Sequence, residues 1–272
     1  MNKFNYFHLD ITKTLDSGQT FLWEKEFTNK YIGHFIDKII ILQNVNNYWF
    51  WQTYPNNNDF EFISKYFNPD YKLTNKLLSS DAILNESFKR FKGIHILKQP
   101  LEETMISFVL ATNKNINAIK KSLNKLMEMQ NIKITTEFGS YYLFPSSDFL
   151  SSLDEEDIAK SGTGYRTTNL KQLSKRLAEG FNIPNNLSYS EAKEILMSFR
   201  GIGNKVADCI LTFSLGYKNV TPIDRWSERV ITDLYKSKLP KKYEEKLNWY
   251  TSRFGNDTAI AGQILFEHIR NL

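Results

Sequence analysis

The stretch 188-SYSEAKEILMSFRGIGNKVADCILTFSLGYKNVTPIDRW-226 decides the fold. Ser188 followed by Glu191 has the spacing of a capping box, and Ala192, Ile195, Leu196 and Phe199 recur at helical spacing. An amphipathic helix therefore starts at Ser188 and is expected to end near Arg200. Gly201 and Gly203 then permit positive φ and close backbone approach, so the amides around Asn204, which opens the next helix, can converge on an anion such as a phosphate. The second helix is expected to bury Ala207, Ile210, Leu211 and Ser214. Lys205 and Cys209, one turn apart, share a different face. A helix-hairpin-helix unit is thus read over 191–215, followed by a loop over 216–226 that carries Asp224.

Two residues of this unit carry possible chemistry. Lys205 sits in the first turn of its helix, where the helix dipole opposes a cation by about 0.3 to 1 kcal/mol, so the free amine is favoured, more so if desolvated. That suits a nucleophile, while the plainer reading is a lysine that neutralises a phosphate held at the glycine turn. Asp224, before Arg225-Trp226-Ser227, is placed to cap a helix. Capping keeps a carboxylate ionised, and the same group can stabilise a developing cation or handle protons near Lys205.

The remaining composition limits what this unit can belong to. A chain of 272 residues with 41% hydrophobic residues holds one large or two ordinary domains with a real core. Lys plus Arg is 35 against 30 acidic residues, a net +5, which mildly favours an anionic partner. Aromatic residues reach 14%, and those that are exposed would suit nucleic acid. One cysteine excludes an intramolecular disulfide, and no Cys/His spacing matches a zinc or iron-sulfur site, so a reduced, cytoplasmic setting is expected. The first residues contain no apolar core of a signal peptide, and no run is apolar enough to span a membrane.

Outside the hairpin the chain divides in two. Residues 1–97 read as strands, at Phe21 to Trp23, Tyr31 to Phe35, Lys38 to Gln43 and Tyr48 to Thr53, with loops at Asn44, Asn46, Asn47 and Asn56 to Asn58. Residues 98–272 read as helical. A helix from Leu101 is broken at Thr112-Asn113-Lys114-Asn115 and resumes to Leu126, and a short acidic helix spans Ser152 to Lys160. A glycine-flanked turn carrying Tyr165 and Arg166 precedes a helix over Thr168 to Glu179. Helices over Arg225 to Tyr235 and Asp257 to Arg270 are expected to complete the chain. The fold class is therefore α+β.

Gly201-Ile202-Gly203, Lys205 to Cys209, Pro222 and Asp224 together resemble the helix-hairpin-helix DNA glycosylases, in the bacterial part of the branch that acts on 8-oxoguanine. Ser17-Gly18-Gln19-Thr20-Phe21, Thr112 to Ile116, Phe144-Pro145-Ser146, Gly164-Tyr165-Arg166 and Leu265-Phe266 extend the resemblance over nearly the whole chain. It implies a base-excision enzyme, active as a monomer on double-stranded DNA without a metal or other cofactor, that flips out the oxidised base. By this resemblance Lys205 attacks the sugar C1′, the Schiff base permits β-elimination, and Asp224 stabilises the oxocarbenium charge. The Gly18 carbonyl would accept the N7 proton that 8-oxoguanine has and guanine lacks. Cys209 and Phe266 would sandwich the base, and Asn113 and Tyr165 would fill the gap in the duplex. Arg166, Gly201, Gly203 and Trp226 would contact DNA. Read without the resemblance, Cys209 and Phe266 are core residues, Asn113 a turn residue and Tyr165 a packed tyrosine.

Three positions depart from the family pattern. Gly262 stands where relatives carry a glutamine that reads the pairing edge, with Gln263 as the candidate substitute. Trp226 replaces a phosphate-binding histidine, and Ala118 aligns with an arginine that reads the opposite cytosine. Two other functions fit the same residues: a glycosylase for another damaged purine, and a non-catalytic helix-hairpin-helix protein that binds DNA.

Overall fold

The computed structural model describes residues 1–4, 8–56, 58–68 and 73–272; Asn57, within the loop expected over 56–58, lies outside the described residues. Among these residues the sheet has five antiparallel strands: β1 (Asn2–Lys3), β2 (Trp23–Phe27), β3 (Lys30–His34), β4 (Ile39–Val45) and β5 (Tyr48–Tyr54), in the order β1-β5-β4-β3-β2. The tight β4-β5 hairpin is set by Asn46 and Asn47, whose φ of 51° and 65° give the turn a twist that matches the strands. Asn44 pairs with Trp49 inside β4, so it is not a loop residue.

Alternation along β4 sends Ile40 and Leu42 to the main core and Ile39 and Ile41 to the opposite face. Both faces are covered, which is why β4 reads as a continuous apolar run. The second face packs on Leu143 and on a small hairpin, β6 (Lys133–Thr136) and β7 (Gly139–Tyr142), through Ile134, Phe138 and Tyr141. This hairpin lies within the stretch expected to be helical.

The stretch 1–97 is likewise not purely strand. It contains α1 (Ile11–Asp16), α2 (Phe60–Phe67), α3 (Asn75–Ser80) and α4 (Ala82–Arg90), with Asp10, Asp59 and Asp81 as side-chain caps for α1, α2 and α4. Tyr66 and Phe67 of α2 join Trp23 and Phe35 in a cluster of edge-on rings beneath the sheet.

The helical body is built around α5 (Leu101–Ala111), buried from Glu103 to Leu110. It packs against α6 (Ile116–Gln130), α9 (Thr167–Ala178) and α11 (Asn204–Phe213), with α7 (Ser147–Ser152) and α8 (Glu155–Lys160) against α9. After α10 (Tyr189–Met197) and α11 come α12 (Arg225–Arg229), which runs into a π-helical turn over Val230–Leu234, α13 (Tyr243–Phe254) and α14 (Thr258–Arg270). The helix α13 was not expected. Its buried Leu247, Tyr250 and Phe254 do follow helical spacing, but they are outnumbered by polar residues. Among the described residues no helix is long and apolar enough to cross a membrane.

Candidate active site

The hairpin begins as its sequence requires. Ser188 and Glu191 cap α10 reciprocally, with the Ser188 amide donating to Glu191 Oε2 at 2.8 Å. The helix stops at Met197, ahead of the expected Arg200, because the amides of Ser198 and Phe199 turn back onto Ile195 and Leu196. Gly201 has φ +89°, and a Cβ there would lie 2.9 Å from Asn169 Cγ, so only glycine fits. Gly203 does not share that conformation. Its φ is −96° and its ψ −175°, ordinary extended backbone for an N-cap, and a Cβ on it would meet nothing within 4 Å. One left-handed residue suffices to turn the chain, and Gly203 leaves the N-terminal amides of α11 open to a ligand.

On α11, Ala207, Ile210 and Leu211 are buried, as is Ser214 just beyond, and Lys205 and Cys209 look instead into a cleft of about 1260 Å³. Asp224, Phe266, Gly18 and Gln263 line the same space, so residues from both ends of the chain converge on the hairpin. Asp224 caps α12. Its Oδ1 accepts from the amides of Trp226 at 2.8 Å and Ser227 at 2.9 Å, and from Ser227 Oγ at 3.3 Å.

The expected lowering of the Lys205 pKa does not hold in the DNA-free protein. Burial, the largest influence, favours the free amine, but a deprotonated Cys209 and the Asp224 carboxylate favour the ammonium and lift the group above the ordinary lysine value; while Cys209 is a thiol, only the Asp224 charge acts. Phe108, with its ring centroid 5.5 Å from Lys205 Nζ, adds a further attraction for the cation. Burial pushes the Cys209 thiol up to about 11, so at neutral pH it is a thiol beside an ammonium.

Asn113 and Tyr165 meet at the rim. Asn113 has φ +50°, and its Nδ2 lies 3.5 Å from Tyr165 Oη, which donates to the Thr112 carbonyl at 3.2 Å. Tyr165 is 64% exposed, which rules out the packed-tyrosine reading. Arg166, expected to contact DNA, is turned inward. It is buried, with Nε donating to Thr112 O at 2.7 Å, Nη2 to the same carbonyl and Nη1 to Thr163 O at 3.2 Å. Its guanidinium satisfies backbone carbonyls and so fixes the turn that presents Tyr165. Trp226 is half-buried at the edge of the cleft, flanked by Arg225 and Arg229, whose Cζ atoms lie 5.6 and 5.0 Å from its ring centroid.

Residues 106–252 match the description of the HhH-GPD superfamily of base excision DNA repair proteins. The chain belongs to that superfamily. Residues 3–105 match the N-terminal domain of 8-oxoguanine DNA glycosylase. The HhH-GPD chain is 29% identical over 202 residues to the N-glycosylase/DNA lyase of Saccharomyces cerevisiae, covering 68% of this chain and 54% of that protein. It is 26% identical over 286 residues to the N-glycosylase/DNA lyase OGG1 of Arabidopsis thaliana, covering 97% of this chain and 78% of that one. The match therefore spans about half of the yeast protein's length. The apo-form 8-oxoguanine glycosylase/lyase of Clostridium acetobutylicum superposes with a TM-score of 0.85 at 30% identity, covering 95% of this chain and 92% of that one.

Of the residues that build the site in this HhH-GPD protein, Gln19 and Asp208 were given no role by sequence reading. Gln19 rivets the turn around Gly18: its Nε2 donates to Thr14 O, Ser17 Oγ and His95 O at 2.8 to 3.1 Å, and its Oε1 accepts from Leu97 N at 2.8 Å. Gln263, buried at the cleft, donates its amide to Ser17 O at 2.8 Å, so part of its donor capacity braces the same turn. Asp208 is fully buried one residue before Cys209 and accepts from Tyr189 Oη at 2.9 Å and Tyr243 Oη at 2.6 Å, with Lys193 Nζ at 3.5 Å. Burial pushes its carboxyl up to about 6 against the pull of Lys193. Tyr243 Oη in turn accepts from the Ile223 amide at 3.1 Å, which ties the hairpin and α13 to the loop that ends in Asp224. A charged residue inside a helical apolar pattern, as Asp208 is, was the available signal; Gln19 lies in the Ser17 to Phe21 stretch of the resemblance, but an isolated glutamine has no periodicity to mark a structural role.

Proposed function

We propose that this chain is a DNA glycosylase and AP lyase that excises 8-oxoguanine from duplex DNA. The observation that carries the reading is the convergence of Lys205, Asp224, Cys209 and Phe266 on one cleft beside the open N-terminus of α11. Phosphate docks at the hairpin amides, Asn113 and Tyr165 take the space left in the stack, and the base enters between Cys209 and Phe266. Phe266 supplies a ring face, Cys209 a neutral thiol, and the Gly18 carbonyl an acceptor for N7–H. An unmatched acceptor in a closed pocket costs about 1 to 3 kcal/mol, which disfavours guanine.

Lys205 must lose a proton before it can attack. Its Nζ bonds to C1′ as the C1′–N9 bond breaks, the bonding pair leaves with the base, and the amine proton neutralises that anion. Asp224, fixed by its cap bonds, faces the cationic sugar as it forms. Opening of the sugar gives the Schiff base, and loss of a C2′ proton expels the 3′ phosphate. No step calls for a metal or other cofactor. We further propose that residues 1–97 and 98–272 form two domains, that the enzyme acts as a monomer, and that it works in the cytoplasm.

Borohydride trapping tests the reading. Wild-type protein on a duplex with 8-oxoguanine is expected to yield a covalent complex, and Lys205→Gln none, while the variant still binds the duplex. Base release without any trapped species would leave Lys205 in a phosphate-binding role only, and no release of 8-oxoguanine would overturn the proposal.

A further inference from the structure

The face that α14 turns to the cleft carries three side chains at spacings of three and four: Gln263, Phe266 and Arg270. Arg270 has no part in the chemistry above. Its Cζ lies 5.3 Å from the Phe266 ring centroid, and its Nη1 lies 3.2 Å from the point a Cβ on Gly18 would occupy. The guanidinium is therefore beside both the stacking ring and the backbone turn that reads N7–H. It is held there by Glu267, whose Oε1 accepts from Nη1 at 2.9 Å and whose side chain is 10% exposed. Among the described residues this is its one hydrogen bond, and the other donors of the fork are left for a ligand.

We propose that Arg270 is a specificity-determining residue that donates to an exocyclic oxygen of the flipped purine, beside the Gly18 carbonyl; this rests on the function proposed above. An 8-oxopurine with a 6-keto group presents, on this edge, an N–H flanked by two carbonyl oxygens. A backbone carbonyl next to a guanidinium is the matching pattern of one acceptor and a planar donor. The positive charge has a second consequence. When the C1′–N9 bond breaks the departing base is an anion, and charge delocalised onto its exocyclic oxygens falls next to Arg270. Arg270 thus acts on base release and has no contact to offer once the base has gone. It also places a polar reader on α14 despite the absence of a side chain at Gly262.

The test separates those two stages. Single-turnover release of 8-oxoguanine opposite cytosine is compared with cleavage of the same duplex carrying a preformed abasic site. Arg270→Met is expected to slow base release by about 10- to 100-fold, the worth of a charge-assisted hydrogen bond, and to leave abasic-site cleavage within about twofold. Because Glu267 would lose its cation and keep only Asn271 Nδ2 at 3.5 Å, Arg270→Met is also made with Glu267→Gln, and the pair is expected to behave as Arg270→Met does. Equal losses on both substrates, or no loss on either, would overturn the role of Arg270 while leaving the glycosylase reading intact. A wild-type protein that releases no 8-oxoguanine would instead sink the proposed function, and this inference with it.

Discussion

Gly262 is the position at which packing against the Asp224 loop can be tested most directly. A Cβ built on Gly262 lies 2.8 Å from Thr221 Cβ and 3.2 Å from its Cγ2, and nearer still to Oγ1. Rotation of Thr221 moves the last two atoms but not its Cβ, and Thr221 is only 4% exposed, so the side chain has little room to turn. Gly262→Ala must therefore push α14 and the loop apart. Overpacking of this kind costs about 1 to 3 kcal/mol. Alanine regains about 0.5 to 1 kcal/mol over glycine within a helix, so the net loss should be about 0 to 2.5 kcal/mol. The displaced parts carry Phe266 on one side and Asp224, three residues after Thr221, on the other. A misplacement approaching 1 Å lowers a rate by on the order of 100-fold, so excision should fall more than stability suggests. Urea unfolding with an unchanged slope and single-turnover base release measure the two effects. Thr221→Gly removes the opposing Cβ, and combined with Gly262→Ala it should recover part of the loss non-additively. If Gly262→Ala is as stable as the parent and excises at the parent's rate, the packing argument is wrong. The same clash would meet a glutamine at position 262.

Three other outcomes are expected. Asp224→Asn keeps an N-cap, so thermal stability should change by no more than about 1 kcal/mol, whereas base release should slow by about 100-fold, and an unchanged single-turnover rate would reduce Asp224 to a cap. Ala118 cannot donate to cytosine, so 8-oxoguanine should be excised opposite the four bases within about tenfold, and Ala118→Arg should steepen the preference for cytosine; a far larger wild-type preference would contradict this. Burial raises the Glu103 carboxyl from 4.5 to about 7, so the folded state holds its proton longer than the unfolded chain does. Stability from this residue is present below pH 4.5 and is lost as pH rises toward 7, by on the order of 3 kcal/mol, so Glu103→Gln should flatten that part of the wild-type stability curve. Parallel wild-type and variant curves between pH 4.5 and 7 would rule it out.

Features encoded over a few residues were legible in the chain alone. The Ser188-Glu191 cap, the helical spacing of α10 and α11, the break at Thr112 to Asn115 and the β-rich runs of β3 to β5 all depend on neighbours within a turn or a strand. So did the pairing of Lys205 with Cys209 on one helix face. The hairpin β6-β7 and helix α13 escaped because their apolar residues are few and gain meaning only against a partner, the outer face of β4 for one and α14 for the other. The character of the site was settled by contacts between distant residues. Ser17 and Gln263 are bonded across 246 positions, Asn113 meets Tyr165 across 52, and Gly262 faces Thr221. Arg166, polar and beside an exposed tyrosine, is wrapped around two carbonyls, a placement that its position in the chain does not reveal. The charge of Lys205 is the sharpest case. Local position favours the free amine, but a carboxylate delivered by another loop favours the ammonium, and electrostatic energy depends on distance in space and on burial, neither of which a sequence contains.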